Sequence, residues 1–153
     1  MATAPSSRAP QAPAARLTRA VRTWKDVTIH PDPNATLTFQ LGRTTIGRLQ
    51  NGDRLDVPLP APIRAVVLEH GLAVAADGST LSDAVAHPLQ TPDDVAPATQ
   101  LLRLSYLYRR LLRTRDATTL HRIRIELSQR EVPEALRTVY DAMLAKRDAA
   151  RSS

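Results

Sequence analysis

Apolar residues recur along this chain at two spacings, and the change of spacing marks its elements. Leu17, Ala20, Val21 and Trp24 fall three and four residues apart, with Arg16, Arg19 and Arg22 turned elsewhere. This predicts a short helix from Arg16 with Trp24 as its main apolar anchor. Beyond Trp24 the period drops to two. Val27 and Ile29 alternate with polar residues ahead of the turn-rich run His30-Pro31-Asp32-Pro33-Asn34. Leu37, Phe39 and Leu41 alternate with Thr36, Thr38 and Gln40, as a half-buried strand requires. Thr45, Gly47 and Leu49 alternate with Thr44, Ile46 and Arg48 in a second strand, and Arg54-Leu55-Asp56-Val57 follows as a third. The tight turns at Gly42-Arg43 and Asn51-Gly52 make the three an antiparallel meander.

Pro58, Pro60 and Pro62 end the meander, because a proline cannot donate to a central ladder. Pro62 opens a helix to about His70, with Gly71 as its cap. Short strands are expected at Leu72 to Ala75 and Ala84 to Leu89. Thr91 and Pro92, followed by Asp93 and Asp94, start a long helix running to about Thr114. Residues 118–128 read two ways: Leu120, Ile123 and Leu127 suit a helix, whereas Ile123, Ile125 and Leu127 alternate as a strand would. From Pro133, the residues Leu136, Val139, Tyr140, Met143 and Leu144 form the apolar side of a last helix ending near Arg147. Strands and helices segregate, so the predicted class is α+β: a two-layer sandwich of an antiparallel sheet packed against helices, with a C-terminal helical extension. Residues 1–15 read as a disordered Ala/Pro-rich arm, with too little apolar surface to offset its ordering entropy. The α+β domain is expected over 16–115 and the extension over 116–153.

Charge changes this picture more than composition does. The net charge is +6, but it is unevenly placed: residues 1–25 carry +5, residues 26–100 carry −5 and residues 101–153 carry +6. A phosphate-binding surface therefore belongs to one of the ends, not the middle. With no cysteine there is no disulfide, thiolate nucleophile or cysteine-based metal site. No apolar run approaches the roughly 20 residues of a membrane span, and the first 21 residues lack the apolar stretch of a secretory signal. A cytoplasmic protein without membrane association is the expectation.

The central segments resemble a known family. Leu41-Gly42-Arg43-Thr44-Thr45-Ile46-Gly47-Arg48-Leu49, then Asp56-Val57-Pro58-Leu59-Pro60 and Gly71-Leu72-Ala73, are similar to the small bacterial luciferase-like domain. So is Val85-Ala86-His87-Pro88-Leu89-Gln90-Thr91-Pro92-Asp93-Asp94-Val95 leading into Leu101-Leu102-Arg103-Leu104-Ser105-Tyr106. The resemblance covers roughly residues 24–108. The family shares its domain with fungal luciferases, and most bacterial members have no established activity. Its pattern places a Glu and a pair of His in the second strand, where this chain has Thr45, Arg48 and Gln50. It also places His after the Gly-x-Ala block, where Ala75, Ala76 and Asp77 stand, and a Trp near Ala84. Asp56 matches, and Ser82 remains. The resemblance thus implies a family member that has lost its histidine site and acts as a binding or protein-interaction module.

The residues themselves supply few candidates for chemistry. His30, His70, His87 and His121 are the only imidazoles, and none pairs with another at ligand spacing, so no metal and no cofactor is expected. His70 reads as a helix C-terminal residue favoured by the dipole, and Asp93 and Asp94 as helix-start acids. Asp53 and Asp56 face opposite sheet faces and do not form a catalytic pair. No phosphate loop, nucleophile elbow or His-Glu-x-x-His occurs. The weak catalytic candidates are His87 and Asp56, and a ligand pocket, if present, uses Arg48, Gln50, Asp56 and His87. A small-molecule-binding protein or enzyme at that pocket is the alternative reading. A basic nucleic-acid binder using the C-terminal helices is a further one, disfavoured because Glu131 and Glu134 stand where a recognition helix would meet phosphates. The apolar side of the last helix, Leu136, Val139, Tyr140, Met143 and Leu144, must be covered, either by docking on the domain itself or as the contact surface for a second copy or a protein partner.

Overall fold

In the computed structural model, which describes residues 12–152, the period-two segments form one sheet and the longer-period segments five helices. In chain order these are α1 (Pro13–Val21), β1 (Val27–Asp32), β2 (Thr36–Leu41), β3 (Thr44–Gln50), β4 (Arg54–Pro58), α2 (Ala61–Glu69), β5 (Val74–Ala75), β6 (Ala84–Pro88), α3 (Val95–Arg113), α4 (Ala117–Gln129) and α5 (Glu134–Ser152), with a 3-10 turn at Pro92–Asp94 leading into α3. The sheet is antiparallel throughout, in the order β1-β2-β3-β4-β6-β5. Helix α3 crosses β3 and β4, α1 lies along α3, α2 packs on β6, and α4 and α5 pack on each other and on α3. This is the expected α+β sandwich. Among the described residues no helix is long and apolar enough to cross a membrane.

Several boundaries differ from expectation, each for a local reason. The meander has four strands, because β1 continues through His30, Pro31 and Asp32. Pro31 is tolerated there because β1 is an edge strand. The turn moves to Pro33, Asn34 and Ala35, the last two in left-handed backbone. Helix α1 begins at Pro13, inside the stretch expected to be disordered, since Leu17 and Val21 are buried against the core; residues 1–11 of that stretch lie outside the described residues. Trp24 sits beyond α1, half-buried, with its ring 5.2 Å from that of Tyr106. In β3 a bulge leaves Ile46 without a partner between the pairs Phe39↔Gly47 and Gln40↔Thr45. The bulge breaks the two-residue period, so Ile46, Gly47 and Leu49 are all buried.

The ambiguous segment 118–128 is helical. Leu120, Ile123 and Leu127 are buried while Ile125 is exposed, and the Asp116 carboxylate caps α4 by accepting from the Thr118 and Thr119 N–H groups. Helix α5 runs past Arg147 to Ser152. Its apolar face is not a free surface, which corrects the expected contact site. Leu136, Tyr140 and Leu144 are fully buried within the chain, and Val139 and Met143 pack at the edge of the same core. The Tyr140 hydroxyl donates to the Leu104 carbonyl at 2.5 Å, and burial pushes its phenol pKa well up. A two-layer domain leaves apolar residues on the outer sides of α2 and α3, and α5 covers them. One hydrophobic core therefore runs from Leu17 to Leu144.

Candidate binding face of the sheet

Residues opposite one another in an antiparallel ladder point to the same face. Two rows therefore cross the sheet on the side away from the core: His30, Thr38, Arg48, Asp56 and Ala86; and beside them Asp32, Thr36, Gln50 and Arg54. This polar face results from the alternation that puts Phe39, Leu49, Leu55 and Val57 into the core. It brings together three of the four candidate ligand residues, Arg48, Gln50 and Asp56.

Their neighbours decide what each can do. Asp56 is fully buried, and both its oxygens are taken by Arg54, Nε at 2.8 Å and Nη2 at 2.9 Å. That bidentate bond, opposed by burial and helped by the charges of Asp56 and Asp53, raises the pKa of Arg54 further. A carboxylate so held does not meet solvent and has both oxygens occupied. Arg48 differs: Nε donates to the Thr38 hydroxyl at 3.3 Å and Nη1 to the Thr80 hydroxyl, with no carboxylate paired to it among the described residues. Thr38 in turn donates to Asp32, and Thr36 donates to Gln50 Oε1 at 3.3 Å. Asp32, Thr36, Arg48, Gln50 and Thr80 line a groove of about 350 Å³.

The fourth candidate is elsewhere. His87 pairs with Leu55, not Asp56, so it points to the opposite face of the sheet. Its Nδ1–H donates to the Pro88 carbonyl at 2.7 Å. The expected His87–Asp56 pocket does not form, because the two residues lie in adjacent rows of opposite facing. Asp94, near His87, accepts from the Gln90 and Thr91 backbone N–H groups; these bonds hold its pKa below the usual carboxylate value, with the His87 charge a small contribution. His70 bonds the Val66 carbonyl at the end of α2, and His30 sits 2.9 Å from the Thr28 hydroxyl. Among the described residues no three carboxylate or imidazole groups converge as a metal site.

Sequence reasoning missed Asp32, Thr38 and Thr80. The alternation of β2 already places Thr38 on the polar face, whereas Asp32 stands in a run of turn-forming residues that hides its place in β1. Thr80 reaches Arg48 only because the loop before β6 folds over the sheet. The chain matches no family model, no curated protein and no solved structure.

Proposed function

We propose that this chain is a non-catalytic binding module of the luciferase-like type, with the open face of its sheet as the recognition surface and Arg48 as the anchor. One observation carries the reading: Arg48 and Gln50, at positions where the resemblance expects imidazoles, stand in register beside the matching Asp56 on one face. An arginine stays protonated and an amide does not titrate, so these side chains bind rather than move protons. The groove pairs a guanidinium with a carboxylate, both bonded to Thr38. That arrangement suits a small zwitterion such as a free amino acid, whose carboxylate meets Arg48 and whose ammonium meets Asp32.

The test is a titration of the isotope-labelled full chain with free amino acids, followed by amide NMR shifts. The expected result is saturable shifts at Thr38, Arg48, Gln50 and Thr80 for at least one amino acid. Affinity should fall about ten-fold or more in Arg48→Gln, as expected for losing a charge-assisted bidentate contact. Shifts that avoid these residues for the whole panel, or equal affinity in the variant, would overturn the reading.

A further inference from the structure

We infer that the groove between α3, α4 and the turn at Lys25 is a site for a small soluble ligand carrying a diphosphate group. The groove has two adjoining lobes, of about 290 and 210 Å³, that share Lys25, Arg110 and Thr119. Arg113 borders the first lobe and Arg122 the second. Among the described residues, none of these four cations forms an ion pair.

Two of the cations are fixed in place by neutral partners. Arg110 Nη1 donates to the Tyr106 hydroxyl at 2.9 Å, and that hydroxyl donates to the Lys25 carbonyl at 2.9 Å. Arg113 Nη1 donates to the Leu41 carbonyl at 2.7 Å, and its guanidinium occupies the space a side chain at Gly42 would need. The acids nearby do not balance this charge. Glu126, which lines the second lobe, is held by Arg103 and Arg130, and the Asp116 carboxylate caps α4 with Arg122 alongside. Asp26, which lines the first lobe, is exposed and stands against Lys25, Arg110 and Arg113 there. Like charges held side by side repel, and a bound anion removes the repulsion.

Guanidinium forks match phosphate oxygens, and a lysine adds a point charge; two lobes with a shared centre fit two linked phosphates. The groove is poorly suited to nucleic acid, because the Tyr106 ring is buried and Arg103 lies over both aromatic rings beside it, 5.0 Å from the Trp24 centroid and 4.7 Å from that of Tyr106. No platform remains for a base to stack on.

The experiment is calorimetric titration of the full chain with inorganic pyrophosphate and inorganic phosphate, with a single-stranded oligonucleotide as competitor. Pyrophosphate is expected to bind one per chain, about ten-fold or more tighter than phosphate, because it engages both lobes. Lys25 and Arg122 are exposed, so the double variant Lys25→Ser, Arg122→Ser keeps the fold, checked by circular dichroism. It should weaken pyrophosphate binding about ten-fold or more, whereas Arg19→Ser, an exposed charge bordering neither lobe, should change it less than about two-fold. Absent binding, equal weakening by Arg19→Ser, or displacement by an oligonucleotide that binds more tightly than pyrophosphate would each overturn the assignment. None of these residues belongs to the open sheet face, so the two proposals fail separately.

Discussion

At Gly47 a missing methyl group sets how closely α3 approaches the sheet. A Cβ there would meet the Leu102 Cδ1 methyl, and Leu102 is itself fully buried. Gly47→Ala is therefore expected to cost about 1–3 kcal/mol in urea unfolding, the usual range for overpacking a filled core. Combined with Leu102→Ala, the two changes should cost less than the sum of their separate costs, because the added methyl enters the space the leucine leaves. An unchanged midpoint in the single Gly47→Ala variant would show that α3 is free to shift. The alternation in β3 already turned Gly47 inward, but the bulge at Ile46 was not legible, because a bulge is decided by the partner strand. Asp56 shows the converse. Arg54 lies two residues away, so the strand period puts it on the same face, but the bidentate pair and the full burial of its carboxylate are decided by the fold.

Helices α3 and α4 are joined by one carboxylate. Glu126 accepts two bonds from Arg103, each 2.6 Å, and a third from Arg130 at 2.8 Å. Burial pushes its pKa up, but the two guanidiniums outweigh burial and hold it below the ordinary value. As pH falls, the unfolded chain takes up this proton first, so the stabilisation fully present above an unfolded value of about 4.3 declines below it and is lost as pH drops through the lower folded value. Unfolding midpoints measured from pH 7 to pH 3 should decline more steeply in the wild type than in Glu126→Gln. Parallel profiles would mean the clamp contributes nothing. The sequence left this element open between helix and strand because both patterns share Ile123 and Leu127. Ile125 decided it by facing water.

At the scale of the molecule, α4 and α5 complete a core that the sheet and α3 begin. Leu136, Tyr140 and Leu144 are fully buried, each contributing about 1.5–3 kcal/mol, which together is comparable to the whole stability of an ordinary domain. A chain ending at Arg115 should lose cooperative unfolding and bind an apolar dye, read by circular dichroism and fluorescence. A truncated chain with an intact melting transition would show instead that 116–153 is an appendage. By itself the sequence determined the three central strands of the antiparallel meander, the long helix after them and the α+β class, since each follows from which positions of a segment are apolar. It also determined the apolar face of α5. Tertiary structure decided what covers that face, which way His87 points, and that Thr80 meets Arg48 across 32 positions of chain. Periodicity reports that one side of a helix or strand avoids water. Which other segment excludes the water depends on packing among residues distant in the chain.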